Sequence, residues 1–239
     1  MSRTITLARF QLRELVRSFA IAAPMTITVA LYWLFFEFPG DVDYFAATGG
    51  FALLTVAVVT TLLLAGQSNR MSSTVVVTRL PWRSELLGAI VASTLVVALA
   101  MAVLFTGLAL GQAKVAMTAA HLAVIAPRWL ALAALFAVVG LHLSRLVSRV
   151  GSHLIALGLL AFIATVIEQE GILLRSSFAG LARVVLAISN PIMAALREPA
   201  LPLSLASYAS NLALMALYAV GLFLLAAWLF RRKDLLWAD

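Results

Sequence analysis

The sequence predicts an all-α integral membrane protein with six transmembrane helices. Of its 239 residues, 64% are hydrophobic and only 11% are charged, whereas a soluble domain averages about 45–50% apolar and about 25% charged residues. The mean hydropathy is +1.07. A soluble domain of this length has too little interior to hide so much apolar side chain, so lipid is the expected solvent. These values exclude an ordinary cytosolic enzyme, a disordered chain and a fibrous repeat.

Uncharged stretches long enough to cross a bilayer define the six spans. A transmembrane helix needs about 20 mostly apolar residues, and five of the gaps between charged residues meet this requirement. A sixth gap, between Arg128 and Arg145, is shorter and extends outward through Arg128, because a terminal arginine can snorkel to the interface. The predicted spans are 19–38, 46–66, 85–110, 125–145, 150–167 and 206–230, within one domain that covers residues 1–239.

A further apolar stretch, 172–197, is interrupted by Arg175 and Arg183. Two charged side chains inside one span are costly unless they find partners in the membrane, and the sequence offers none. We therefore expect residues 168–205 to form a re-entrant helical segment on the outer side, before the last span, rather than a seventh crossing.

The distribution of positive charge orients the chain. Six spans leave both termini on one side of the membrane, and that side holds 12 of the 17 Lys and Arg residues. Because positive residues concentrate in cytoplasmic loops, both termini are expected in the cytoplasm, in a multi-pass protein of the cell inner (plasma) membrane. The formal net charge is +7, but 11% charged residues are too dilute for a phosphate-binding face, so no nucleic-acid partner is expected.

Residues 1–18 are predicted to form an interfacial helix before the first span. Apolar residues recur there at helical spacing, and Arg9, Arg13 and Arg17 recur every four residues on a different face. A helix with one basic and one apolar face lies in the plane of the membrane interface. Two alternatives stay open: a basic flank that only orients the first span, and an arginine-rich mitochondrial presequence.

The segment 67–84 is the longest loop on the predicted cytoplasmic side. Residues 72–74, Ser-Ser-Thr, are able to cap a short helix, Pro81 would end it, and Ser84 is expected to cap the third span. A short helix held between two spans is a lever that transmits force from a soluble motor to the membrane. The alternative is a simple connecting loop.

Three motifs in this order resemble those of type-2 ABC exporter permeases. The run PWRSELLGA, 81–89, is similar to the family segment that follows the coupling helix, where the permease contacts its ATPase. The run LLRSSFAGLARVVLAISNPIMAALR, 173–197, resembles the family's outer segment between the fifth and sixth spans, and Asn190, Pro191 and Arg197 keep its spacing. The basic tail, 230–234, resembles the family's end after the last span. With the interfacial helix and six spans, the resemblance covers nearly the whole chain.

The resemblance implies a permease subunit of an ATP-driven exporter, with 67–84 as its cytoplasmic coupling segment. The subunit would work as a homodimer, or as a heterodimer with a related permease, and with separate nucleotide-binding ATPase subunits. Two departures from the family are Val75, where an acidic residue is common, and Ala89, where lysine is usual. The residues expected to couple to the ATPase are Arg70, Ser72, Ser73, Thr74, Val75, Val76 and Arg79.

The sequence lacks the motifs of catalysis. No phosphate-binding loop, H-E-x-x-H or G-x-S-x-G occurs, so ATP and Mg are expected on the partner ATPase and not on this chain. There is no cysteine, which excludes thiolate metal sites and cysteine nucleophiles. His121, His142 and His153 are scattered and are expected to be interfacial or hydrogen-bonded rather than metal ligands. We expect no catalytic, cofactor or metal site, and hence a protein that is not an enzyme.

The span interiors are poor in ionisable groups, which ion-coupled carriers normally keep at membrane depth. Their main polar side chains are Thr55, Thr60, Thr61, Ser93, Thr94, Thr106 and Thr165. Such a lining suits an amphipathic or lipid-like substrate better than an ion. Gly107 and Gly111 form a G-x-x-x-G pattern that permits close helix packing. A scaffold or assembly factor without transport is the alternative function, and haem-export or polysaccharide-export subtypes share the architecture implied by the resemblance.

Overall fold

The computed structural model describes residues 3–71, 83–144, 146–147, 179–197, 199–201 and 204–232. These residues form seven helices and contain no strand. The helices are α1 (Arg3–Arg17), α2 (Ala22–Phe35), α3 (Val42–Met71), α4 (Arg83–Gly111), α5 (Ala119–Leu143), α6 (Ala179–Arg197) and α7 (Leu205–Arg232). Four of them, α3, α4, α5 and α7, are long and apolar enough to cross a membrane. The predicted all-α membrane protein is confirmed at this level.

The helices correspond closely to four of the predicted spans. The stretches 46–66, 85–110 and 206–230 lie inside α3, α4 and α7, and 125–145 coincides with α5 except for its last two residues. The predicted span 150–167 lies outside the described residues. The total of six spans therefore remains a prediction.

The first predicted span, 19–38, has a different form from the one expected. Its helix α2 has 14 residues, which corresponds to a length of about 21 Å, and it meets α1 at an angle of 72°. At the bend, Phe19 has a φ of 55°, and the Ser18 hydroxyl donates to the Glu14 carbonyl at 2.7 Å. Pro24 is tolerated because it lies in the first turn of α2, where backbone N–H groups have no partner within the helix.

Helix α3 is the centre of the bundle and packs against α2, α4, α5 and α6. Glycines bring α3 and α5 close together. A Cβ atom on Gly49 would overlap the indole ring of Trp129, and one on Gly140 would lie 2.9 Å from the Thr61 Cβ. Small residues at such crossings allow the close backbone approach on which membrane helix packing depends.

Two hydrogen bonds define the relative direction of α5 and α7. The Tyr208 hydroxyl donates to the Val124 carbonyl at 2.9 Å, near the start of both helices. The His142 Nε2 lies 2.9 Å from the Leu222 carbonyl oxygen, in the second half of each. The two helices are therefore parallel. We call the end of the bundle where α5 and α7 begin the Lys114 end, and the opposite end the α1 end.

The predicted coupling loop, 67–84, overlaps the ends of two helices. Helix α3 continues to Met71 and α4 begins at Arg83, and the segment 72–82 that connects them lies outside the described residues. Ser84 lies in the first turn of α4 and is not its cap, although Glu85 is in that turn as the sequence suggests. Polar residues after Gln67 continue α3 beyond its apolar stretch. The lengths of uncharged stretches do not predict such an extension.

Helix α6 covers the described part of the predicted re-entrant segment. It is one continuous helix of 19 residues that includes Pro191, and it is not among the candidate spans. Its Ala195 is buried with Leu132 of α5 and Met215 of α7. The prediction of a re-entrant segment over 168–205 stays a prediction, because residues 168–178 lie outside the described ranges.

Candidate functional site

The α1 end of the bundle carries the predicted coupling segment, and α1 packs there against α4. Its buried residues are Ala8, Gln11 and Leu15. The Ser93 hydroxyl of α4 lies 3.2 Å from both the Ala8 carbonyl oxygen and the Gln11 side-chain oxygen. The polar residues of both helices thus satisfy each other inside the contact, as buried polar groups require.

The contact between α1 and α4 lies about one hydrocarbon-core thickness from the end of α4. The hydrocarbon core is about 30 Å thick, which corresponds to about 20 helical residues. Counted back from the end of α4 at Gly111, this length ends close to Ser93. A Cβ atom on Gly88 would lie 3.5 Å from the Thr4 methyl group, so α1 covers α4 on both sides of that boundary.

Helices α3 and α4 both extend beyond this depth. The Thr61 and Thr94 hydroxyls are 3.0 Å apart and mark the same level on the two antiparallel helices. From that level, α3 continues for ten residues to Met71, and α4 begins eleven residues earlier, at Arg83. At 1.5 Å per residue, each helix reaches about 15 Å past the threonine pair. Leu64 and Ala65 of α3 and Leu86 and Leu87 of α4 are buried in the core at this end, so the segment 72–82 is attached to two helical ends that are packed in the bundle.

Most of the predicted coupling residues lie in that connection. Arg70 belongs to the last turn of α3. Ser72, Ser73, Thr74, Val75, Val76 and Arg79 lie outside the described residues, so their contacts remain predictions. The predicted outer motif lies on one helix: Asn190, Pro191 and Arg197 all belong to α6, and the Asn190 side chain is exposed.

At the Lys114 end, hydrogen bonds join loops and helices that are distant in sequence. The Arg128 Nη2 donates to the Pro199 carbonyl at 2.8 Å, and the Asp43 carboxylate accepts from the Ala200 backbone N–H at 2.6 Å. The Arg128 guanidinium also lies over the Tyr208 ring, 5.2 Å from its centroid, within the range of a cation–π contact. The residues before α7 are thus fixed to both α3 and α5.

The sequence-based interpretation of Arg128 is wrong. It was expected to snorkel from the end of a span, but α5 begins nine residues earlier, at Ala119, and the arginine is only 2% exposed. Its neighbour Trp129 is also buried and donates from Nε1 to the Ala46 carbonyl at 2.8 Å. No local pattern identifies these residues, because their partners are 71 and 83 positions away in the chain.

Aromatic side chains fill the space beneath these hydrogen bonds. Phe105 contacts Tyr32, Phe36, Phe45 and Trp129 with ring centroids 5.7–6.2 Å apart, the separation typical of favourable ring pairs. The Tyr32 hydroxyl lies 3.2 Å from the Leu108 carbonyl oxygen. A rigid aromatic core therefore connects α2, α3, α4 and α5 at the Lys114 end.

Most of the described polar residues expected to line a pathway are packed between helices or bonded to their own backbone. Thr60, Thr61, Ser93 and Thr94 are each fully buried, and the Thr55 hydroxyl donates to the Phe51 carbonyl at 3.0 Å. Thr61 and Thr94 bond each other and Ser93 bonds α1, whereas the buried Thr60 hydroxyl has no hydrogen-bond partner among the described residues. Thr165 lies outside the described residues. The G-x-x-x-G pattern is also not used within the described bundle, because a Cβ atom on Gly107 or Gly111 would meet nothing within 4 Å.

The described histidines have structural roles. The Thr118 backbone N–H donates to His121 Nδ1 at 3.1 Å at the start of α5, and His142 binds α7 as described above. His153 lies outside the described residues. Among the residues searched, no group of three or more His, Cys, Asp or Glu side chains is placed to hold a metal ion.

Comparison with protein-family models, with curated proteins and with solved structures finds no match for this chain.

Proposed function

We propose that this chain is the membrane-spanning permease subunit of an ATP-driven exporter that moves an amphipathic or lipid-like substrate. The observation that carries the proposal is that α3 and α4, two long apolar candidate spans, flank the segment 72–82 at the α1 end and have ends that are packed in the core. Two packed helices on either side of one segment give a soluble partner a rigid attachment to the bundle core. The motif resemblance at 81–89 lies directly after this connection.

The proposal includes six spans with both termini in the cytoplasm. Because α5 and α7 are parallel, the chain between them has to return to the Lys114 end before Leu205. The uncharged apolar stretch 150–167 lies in that connection and has the length for this crossing. The concentration of Arg and Lys at the α1 end agrees with a cytoplasmic location.

The proposed partners are a second permease subunit and a separate ATPase that carries ATP and Mg. In the sequence, Val75 to Val77 form an apolar run that lies between Arg70 and Arg79. A buried valine contributes about 1.5–3 kcal/mol, whereas an exposed salt bridge contributes about 0–1 kcal/mol. We therefore expect apolar contact to dominate the affinity for the ATPase.

The test compares Val76→Asp with Arg79→Ala in the full chain. Val76→Asp should weaken co-purification of the ATPase more than tenfold and abolish substrate-stimulated ATP hydrolysis, and Arg79→Ala should reduce both by less. Thr6→Asp adds the same charge to an exposed position on α1 and serves as the control. Wild-type co-purification and transport with Val76→Asp would exclude a coupling role for 72–82.

The orientation has its own test. On this cysteine-free background, Lys114→Cys should react with a membrane-impermeant thiol reagent in intact cells. Labelling only after permeabilisation would reverse the proposed topology.

A scaffold or assembly factor is the second candidate, and the wide apolar surface of α7 favours it. Seven large hydrophobic residues of α7, from Leu205 to Trp228, are at least 40% exposed. A scaffold would co-purify with other membrane proteins but would not stimulate an ATPase, so the same co-purification and hydrolysis measurements distinguish the two functions.

A further inference from the structure

Helix α1 presents three distinct sectors, and one of them is buried against the described part of the bundle. Ala8, Gln11 and Leu15 are buried against α4. Ile5 and Val16 are 47% and 58% exposed. Because successive helical residues are rotated by about 100°, Ile5, Leu12 and Val16 lie on one face of α1, next to the buried sector. They form an apolar strip suited to acyl chains.

The third sector is basic and lies opposite the buried one. It contains Arg9, Arg13 and Arg17, which recur at four-residue spacing and are exposed. Arg17 also lies 3.7 Å from the Glu14 carboxylate. Because the buried sector faces α4, the basic sector points away from the bundle and along the membrane surface, beside the apolar strip.

The depth of α1 brings this basic sector to the level of lipid headgroups. Its contacts with Gly88 and Ser93 on α4 lie about 20 helical residues from Gly111, which is the thickness of the hydrocarbon core. A guanidinium at that level reaches phosphate oxygens and binds them with two parallel hydrogen bonds. Such basic segments bind anionic lipids more strongly than zwitterionic lipids.

We propose that the basic sector of α1 is a binding site for the headgroups of anionic phospholipids in the leaflet where α1 lies. The lipid's acyl chain would pack on the strip of Ile5 and Val16 while its phosphate contacts Arg13 and Arg17. This site does not depend on the transport function, because it needs only the orientation of α1 on α4.

The full chain, purified in a neutral detergent, tests the site by native mass spectrometry with two lipid probes. Dioleoylphosphatidylglycerol should bind at least tenfold more tightly than dioleoylphosphatidylcholine. Arg13→Gln should lower the affinity for phosphatidylglycerol about fivefold, and the double variant with Arg17→Gln about 25-fold, since each basic residue near the surface contributes about a factor of five. Arg13→Lys should lose less than Arg13→Gln because the charge is kept.

Arg183→Gln is the matched control. It removes one exposed arginine from α6, and the affinity for phosphatidylglycerol should stay within twofold of the wild type. The thermal unfolding temperature in phosphatidylcholine alone verifies that each variant is folded. Equal affinity for the two lipids, or an Arg13→Gln/Arg17→Gln double variant that binds phosphatidylglycerol like the wild type, would overturn the proposal. Loss of an acidic protein partner with unchanged lipid binding would assign the sector to that partner instead.

Discussion

The two ends of the bundle differ in how their polar side chains are used. At the Lys114 end, Arg128 and Asp43 are bonded to backbone groups more than 70 residues away, and Trp129 is buried on Gly49. At the α1 end, Arg13 and Arg17 point outward, and Gln67 makes a partly exposed bond of 3.1 Å to Ser18. At one end the polar side chains hold helices and loops together, and at the other the charged side chains face the surroundings. Substitutions at matched residues should therefore have unequal effects.

The largest difference is expected between two glycines of α3. Gly49→Leu at the Lys114 end should lower the free energy of unfolding by about 3 kcal/mol or more, because even a Cβ atom there overlaps the Trp129 indole and overpacked cores resist repair. Gly66→Leu near the α1 end should leave stability unchanged or slightly higher, since nothing lies within 4 Å of a Cβ atom there. Thermal unfolding in detergent measures both, and equal losses would contradict the assigned packing.

Two arginines provide the next comparison. Arg128→Gln should cost about 2 kcal/mol, because hydrogen bonds from charged groups contribute about 1.5–3 kcal/mol and the guanidinium is buried on the loop that precedes α7. Arg13→Gln at the α1 end should change stability by less than about 0.5 kcal/mol, as expected for an exposed position. Unfolding followed by circular dichroism decides between them, and a larger effect of Arg13→Gln would remove the contrast between the two ends.

Two acidic residues should show a smaller difference. The Asp41 carboxylate accepts from the Tyr44 backbone N–H at 2.6 Å and caps α3, so Asp41→Ala should cost about 1 kcal/mol. Asp41→Asn keeps an acceptor and should restore most of the loss. Glu14→Ala breaks only the 3.7 Å pair with Arg17 and should cost less than about 0.5 kcal/mol. Denaturant titration measures the free energy of unfolding of the three variants. A loss with Asp41→Asn as large as that with Asp41→Ala would contradict the capping role.

The smallest effect on stability is expected at the buried pair of Thr61 and Thr94, which lies in the bundle between its two ends. Hydrogen bonds between membrane helices average about 0.6 kcal/mol, so Thr61→Val should lose about that amount. The double variant with Thr94→Val should lose no more than the single one, because both partners are then apolar. Additive losses in a double-mutant cycle would mean that the 3.0 Å contact is not a hydrogen bond.

The spans could be predicted from the sequence because charge is excluded from the membrane over a fixed length. That criterion located α3, α4, α5 and α7 to within about six residues. It did not predict that α2 would have only 14 residues, or that a bend at the exposed Phe19 would separate it from α1. It also failed at Arg128, whose burial depends on a backbone carbonyl 71 residues later. Contacts of this range leave no periodic pattern in the sequence.

The candidate site was predicted in part for a similar reason. The basic face of α1 is visible as a four-residue repeat. The attachment of α1 through Ser93 could not be predicted, because the sequence around a serine in an apolar helix does not identify its hydrogen-bond partner. Gly107 and Gly111 match a packing motif that the described bundle does not use, whereas Gly49 and Gly140 make the close approaches without any motif. The role of the coupling residues in 72–82 remains a prediction, because these residues lie outside the described ranges.

The parallel arrangement of α5 and α7 also affects the order in which the protein assembles during synthesis. The hydrogen bonds between these helices join residues 80 and 84 positions apart, and only 17% of the apolar window of α7 is buried. The contacts among α1 to α5 involve only segments that precede α7 in the chain, so those helices are able to pack before α7 leaves the ribosome. Helix α7 would then join a preassembled bundle, guided by Tyr208 at its first turn. A chain truncated before Leu205 is expected to keep the aromatic core around Phe105 intact.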